Sequence, residues 1–408
     1  VQPPDGLDEG REQAFPHRLL KEKRQMATVL VTGGTGFVGS HLIPRLVELG
    51  YQVRLLTRRA TRGRALPAER CTIIEGSPLD PDACRRASRE TDAIIHLVGI
   101  LTENPQSSYR EAHVQVTRHL LAAAKENGVR RWIHMSALGA RPYAASRYHQ
   151  TKWTAEELVR SSDLHWTIFR PSVIYGKGDR FLSVLRNLFS QSFFRYFGML
   201  PLPGGGASLL QPVAVRDVVT AFTRALILPE TIGKEYPLCG PDRISLSEIC
   251  FLLLQREHQV VCRTPSWPRL CSRLFLFAIL FAFFPLSALV AFAGGFSPED
   301  WSVLLAAWGS LSLLSLRSRP VLFVSIPWSV VLGLAPFAAK LPSNLPIGRE
   351  QLLMLEEGNI ADSSIAARDL GLEFLPFRDG LASLFPDGQV SLPLPESSAG
   401  QEDRGQLL

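Results

Sequence analysis

Apolar and polar positions first fall into a readable order at Thr28, where the run Val29-Leu30-Val31 ends at Thr32 against a cluster of glycines. Beyond it Val38, Leu42, Leu46 and Leu49 recur at helical spacing, and a second apolar run over 53–57 follows Gly50. A buried strand, a glycine turn, an amphipathic helix and a second strand make a βαβ unit. The alternation continues: the pattern predicts a strand over 71–75, a helix over 80–89, a strand over 92–99 and a long helix over 107–127 stopped by Gly128. A strand over 131–136, a helix over 146–161 and a strand over 165–169 complete it. Strands alternating with helices at this spacing predict an α/β fold, a doubly wound parallel sheet occupying 27–170.

From Pro171 the grammar changes. Turn-rich pieces such as Pro201-Leu202-Pro203-Gly204-Gly205-Gly206 alternate with helices over 216–228 and after Ser245, where Ser245-Leu246-Ser247-Glu248 has the form of a capping box. This predicts a smaller C-terminal substrate lobe over 171–385, with substrate between the lobes at the carboxyl ends of the strands. Residues 271–319 interrupt the lobe with an apolar helical hairpin. Its arms, 274–298 and 301–316, carry no charge, and the first is long enough to span a bilayer. Arg263, Arg269 and Arg273 precede the arms and Arg317 and Arg319 follow them, while the joining turn holds only Glu299 and Asp300. That charge pattern is expected of a hairpin entering the membrane from the cytoplasmic side. The alternatives are a buried helix pair or a surface helix broken at Pro285. A third uncharged stretch, 320–339, contains Pro320, Pro327 and Pro336 and is assigned to the substrate lobe or the membrane surface.

The ends read differently. Residues 1–26 mix acids (Asp5, Asp8, Glu9, Glu12, Glu22) with bases and lack the apolar core of a secretory signal, so they read as a disordered arm. Residues 386–408, rich in Ser, Pro, Gly, Glu and Gln, read as a disordered tail. Across 408 residues the net charge of +6 is dispersed, which argues against a nucleic-acid partner. The six cysteines form no CxxC pair and no metal-ligand cluster, so no metal is expected, and a reducing compartment is.

Candidate chemistry begins at the glycine turn. Gly33, Thr35, Gly36, Phe37, Val38 and Gly39 would let backbone amides approach a pyrophosphate at the positive end of the following helix. After the second strand, where a carboxylate would bond the ribose 2′-hydroxyl of NAD, stand Arg58 and Arg59, suited to a 2′-phosphate. NADP(H) is therefore the expected cofactor, ahead of NAD(H). The fourth strand ends at Val98-Gly99, where a glycine again admits the cofactor. Tyr148 and Lys152 lie four residues apart on one helix face, a phenol whose ordinary pKa near 10 a neighbouring ammonium and the positive nicotinamide ring would lower toward working pH. Ser136, closing its strand, would hydrogen-bond the substrate oxygen. Asp217 reads as a structural acid at a helix N-terminus.

With these residues in place the sequence resembles the short-chain dehydrogenase/reductase superfamily, in its extended, epimerase/dehydratase-like form, and specifically the atypical branch related to the NDUFA-nine-like accessory subunit of respiratory complex I. The resemblance is carried by 32–39, 96–101, Ser136-Ala137-Leu138-Gly139-Ala140, 146–152, 170–176 and 211–219; it runs from Thr28 to about Gln255 and resumes over 327–359. It implies NADPH binding, with Tyr148, Lys152 and Ser136 in the catalytic positions. Relatives include structural or quinone-linked proteins and sugar-nucleotide epimerases. Three departures count: Ser77 replaces the usual aspartate near the adenine, Ala137 follows Ser136 where epimerases have serines, and no element for a sugar-nucleotide diphosphate is recognisable.

The leading expectation is thus a membrane-associated oxidoreductase acting on an apolar or quinone-like small molecule. A non-catalytic NADPH-binding accessory or assembly subunit among respiratory-complex partners is the second reading, and a sugar-nucleotide epimerase or dehydratase the third.

Overall fold

The computed structural model describes residues 27–59, 70–190, 199–256, 261–262, 321–338 and 348–385. Its centre is a seven-stranded sheet built from β1 (Thr28–Thr32), β2 (Gln52–Thr57), β3 (Cys71–Glu75), β4 (Ala93–His96), β5 (Arg131–Met135), β6 (His165–Pro171) and a strand from far downstream, Lys234–Leu238. In space the order is 3-2-1-4-5-6 with the downstream strand on the outer edge of β6, and every pairing is parallel. The order reverses between β1 and β4, which leaves a crevice at their carboxyl ends.

Successive strand residues point to opposite faces, and here both faces are covered. Val29, Val31, Val53, Leu55, Ile95, Ile133 and Phe169 join one apolar cluster. Their neighbours Leu30, Leu56, Ile94, Trp132 and Ile168 join another. The first face is packed by α1 (Phe37–Glu48), the second by α2 (Pro81–Ser88) and α3 (Val116–Glu126). Asp80 caps α2, its carboxylate accepting from Asp82 N at 2.9 Å. The predicted helix over 107–127 instead opens with one π turn, Arg110–Gln115, before it settles into α3. The strand expected over 92–99 keeps ladder pairing only to His96, and the remaining residues form a loop across the top of the sheet.

The helix that carries Tyr148 and Lys152 is α4 (Arg147–Arg160), capped by Ser146, whose hydroxyl accepts from His149 N at 3.2 Å. Two short strands, β7 (Ile174–Tyr175) and β10 (Val213–Ala214), pair in parallel; between them lie α5 (Phe181–Ser190), β8 (Met199–Pro203) and β9 (Leu209–Leu210). The main sheet does not close at Arg170. Helix α6 (Val215–Ala225) packs against α1, and β11, the strand Lys234–Leu238, completes the sheet. The acid of α6, Asp217, accepts from Leu375 N at 2.8 Å, so its structural role is to hold a C-terminal segment.

Further along come β12 (Ile244–Ser245), α7 (Leu246–Arg256), β13 (Val261–Cys262), β14 (Val321–Ile326) and α8 (Trp328–Ala338). The capping box forms as the sequence predicts: Ser245 N donates to Glu248 Oε2 at 3.0 Å and Glu248 N to Ser245 Oγ at 3.2 Å. Strand β14 lies between β13 and β8, parallel to both, so the chain that leaves after Cys262 returns beside it. The expected hairpin over 271–319, the arm 1–26 and the tail 386–408 lie outside the described residues. Among the described residues no helix is long and apolar enough to cross a membrane. The chain closes with α9 (Arg349–Glu356), α10 (Ser364–Leu370) and α11 (Phe377–Leu384), of which α10 joins the first core and α11 a separate one around Tyr175, Leu202 and Leu253.

Candidate active site

The glycine turn is shaped by contacts that leave no room for side chains. Gly33 sits at φ +75, and a Cβ there would lie 2.8 Å from the carbonyl carbon of Leu97 and 2.9 Å from Val98 N. The turn and the loop after β4 therefore touch backbone to backbone. At Gly39 a Cβ would stand 2.4 Å from the Cα of Gly34, so the first turn of α1 lies directly on the loop. Gly36 N-caps α1 with no side-chain bond and no acid in the first turn. A helix N-terminus without a capping side chain offers N–H groups to an anion, the feature a pyrophosphate needs. Thr35 and Gly36 are exposed, Phe37 is half-buried and Val38 is buried in the core. Arg58 and Arg59 are exposed at the carboxyl end of β2, on the same edge of the sheet.

Across the crevice, α4 delivers its two candidate residues one turn apart. Lys152 is buried, and its ammonium donates to Met135 O at 3.0 Å. A Cβ on Gly99 would come within 3.0 Å of Lys152 Nζ, so the exposed glycine of the β4 loop and the buried cation face each other. Burial pulls the lysine down to about 8, opposed by the attraction of Glu156. Tyr148 is buried among Tyr109 and Ala137, with Ile100 and Met354 packed against them. Burial first, and Tyr109 second, push its phenol well above the ordinary range. The lowering expected from Lys152 is thus not found; Tyr148 is held as a protonated acid. Ser136 is buried beside this group, its backbone N–H bonded to Phe169 O at 2.8 Å, while its hydroxyl has no protein partner. A buried hydroxyl without a partner is costly unless something else accepts from it. Val98, half-buried, joins the Gly33 contact to Gly99.

Sequence reasoning missed the residues that tie these pieces together. His113, in the π turn before α3, accepts from Ile100 N through Nε2 at 3.2 Å. That bond leaves its proton on Nδ1, which faces Thr151 Oγ1 at 2.8 Å. The imidazole thus links the loop after β4 to α4, and its ring meets Tyr148 edge to face at 5.3 Å. Burial keeps His113 far below its ordinary pKa, hence neutral. A π turn is often found at functional sites, yet nothing in a single sequence distinguishes it from an ordinary helix start. The second omission is α9, which lies against the start of α4. Gln351 donates to Leu101 O, and Glu350 and Glu357 bond to Arg147 N and Ala145 N.

Comparison with known proteins fits this geometry. Residues 33–184 match the family model described as NAD(P)H-binding. The chain is 32% identical over 252 residues to "NADH dehydrogenase [ubiquinone] 1 alpha subcomplex subunit 9, mitochondrial" of Arabidopsis thaliana, a match covering 59% of this chain and 58% of that protein. It is 31% identical over 151 residues to the "Ceramide reductase" of Caulobacter vibrioides, covering 37% of this chain and 47% of that protein. The matches therefore span about half to three-fifths of these relatives. Among solved structures, that of gox2253 aligns with a TM-score of 0.56 at 22% identity, covering 88% of this chain and 97% of that one, a likeness of fold.

Proposed function

From a chain that carries an NAD(P)H-binding domain and has the alpha-subcomplex subunit 9 proteins among its relatives, we propose a membrane-associated, NADP(H)-dependent oxidoreductase acting on an apolar or quinone-like carbonyl. The observation that carries it is the buried Lys152 ammonium facing Gly99, one helical turn from a buried, protonated Tyr148 and across the β4 loop from the glycine turn. The backbone N–H groups of the glycine turn at the uncapped start of α1 suit a pyrophosphate, Arg58 and Arg59 suit a 2′-phosphate, and Lys152 suits a ribose hydroxyl. When bound, the dinucleotide supplies a hydride to the substrate carbon. Tyr148 gives its proton to the carbonyl oxygen, and Ser136 Oγ donates a hydrogen bond to the same oxygen. His113 is a positioning residue, fixing the β4 loop against α4. The apolar lining of Tyr148 by Ile100, Ala137 and Met354 favours an uncharged substrate. The uncharged arms of 271–319 supply membrane attachment from the cytoplasmic side.

NADPH oxidation by the full chain in detergent, screened against quinones, ketones and sugar nucleotides, tests this reading. Tyr148→Phe should lower turnover by about 10²-fold or more while NADPH affinity holds, as loss of a general acid does. A wild-type protein that binds NADPH and turns over nothing would instead favour a second reading, an NADPH-binding accessory subunit of a respiratory complex. The name of the Arabidopsis relative supports that alternative.

A further inference from the structure

Helix α9 comes from about two hundred residues downstream to complete the wall around Tyr148. Glu350, Gln351, Met354 and Glu357 recur at the spacing of one helix face. Met354 packs against the Tyr109–Ala137–Tyr148 cluster. Gln351 donates to Leu101 O and lies 3.4 Å from the Tyr109 hydroxyl. The two glutamates grip the entrance to α4. Glu350 Oε2 accepts from Arg147 N at 2.7 Å, and Glu357 Oε1 accepts from Arg141 Nη2 at 2.6 Å. Glu103 takes the Arg147 guanidinium at 2.6 Å.

These contacts decide what the site can accept. Arg141 and Arg147, which flank the start of the tyrosine helix, are matched against three carboxylates and together leave a net negative charge. His149, 3.6 Å from Glu357, adds no cation near neutral pH, because burial pulls it down to about 4. Both arginines are exposed and already face carboxylates, so a diphosphate would meet a net negative rim, and the wall beyond is apolar. We propose that α9 is the specificity-determining element of this site: Met354 contacts the substrate, which is an uncharged apolar carbonyl compound, and the Glu350 and Glu357 clasp excludes nucleotide-diphosphate sugars. The assignment rests on the oxidoreductase reading above.

The test uses the full chain in detergent with NADPH and a ladder of phenyl alkyl ketones of increasing chain length, with UDP-glucose as the anionic probe. Binding is measured by calorimetry and turnover by NADPH absorbance. Met354→Ala should move the preferred chain length upward and change relative kcat/KM between short and long members by about tenfold or more, the scale of a few methylenes in an apolar pocket. Met354→Trp should move the preference downward. Both variants should keep wild-type NADPH affinity, which shows that they fold. UDP-glucose should bind neither the wild type nor Met354→Ala. Ladder profiles unchanged in both folded variants, or tight UDP-glucose binding by the wild type, would overturn the proposal. Ketone binding that shifts with Met354 but never leads to turnover would sustain the role of α9 and reject the oxidoreductase reading.

Discussion

Lys152 costs this protein stability, and the cost can be measured apart from any activity. Its ammonium is buried, and its pKa falls from 10.5 in the unfolded chain to about 8 in the fold. Each unit is worth about 1.4 kcal/mol, so at pH 7 the charged lysine destabilises the fold by about 3 kcal/mol relative to a neutral side chain. Below pH 8 both states hold the proton and the full cost is present. Between pH 8 and 10.5 the unfolded chain binds the extra proton, so stability rises with pH, and above 10.5 the cost is gone. Lys152→Met keeps the unbranched stem but removes the bond to Met135 O, a loss of about 1 kcal/mol. The variant should therefore be more stable than wild type by about 2 kcal/mol at pH 7, the advantage should vanish at about pH 10, where the remaining cost equals the lost bond, and above about pH 10.5 it should turn into a deficit of up to about 1 kcal/mol. Urea unfolding of both proteins from about pH 6.5 to 10.5, followed by circular dichroism, reads the difference. An unchanged or lower stability of Lys152→Met at pH 7, or a difference independent of pH, would refute the reasoning.

Three further outcomes follow from named contacts. Gly39→Ala places a methyl 2.4 Å from the Cα of Gly34 and should destabilise by about 1–3 kcal/mol while weakening NADPH binding, read by urea unfolding and nucleotide fluorescence. His113→Ala leaves Ile100 N without its acceptor at a cost of about 1–3 kcal/mol, and should lower kcat more than it weakens NADPH binding, seen in steady-state kinetics beside calorimetry. Deleting 274–316 leaves 263–273 and 317–320 to join β13 to β14, enough for a parallel crossover of a dozen or more residues. That protein should stay in the supernatant after ultracentrifugation without detergent and bind NADPH as the full chain does; sedimentation with membranes would contradict it.

What the sequence made legible was local. The run 28–39 contains its own strand, turn and helix, and the Ser245 capping box acts within three residues, so periodicity and end signals suffice. Tyr148 and Lys152 share one helix face by spacing alone. The rest depends on pairings distant in sequence. Asp217 was readable as an acid at a helix start, but its bond to Leu375 N was not, and nothing in 234–238 marks it as the strand that pairs with β6. Glu350, Gln351, Met354 and Glu357 belong to a short helix and its C-cap, whose partners lie about two hundred residues upstream. The height of the phenol's pKa depends on how deeply Tyr148 is packed, which no spacing reveals.

The central claim is that the glycine turn, the paired arginines and Lys152 form one NADP(H) site. Calorimetric titration of the full chain in detergent with NADPH and then NADH tests it most directly, with Arg58→Asp as the control. The account predicts that NADPH binds more tightly than NADH and that Arg58→Asp reverses the preference, a charge-assisted bond being worth about 1.5–3 kcal/mol. Tighter binding of NADH by the unaltered protein, or no binding of either dinucleotide, would contradict it.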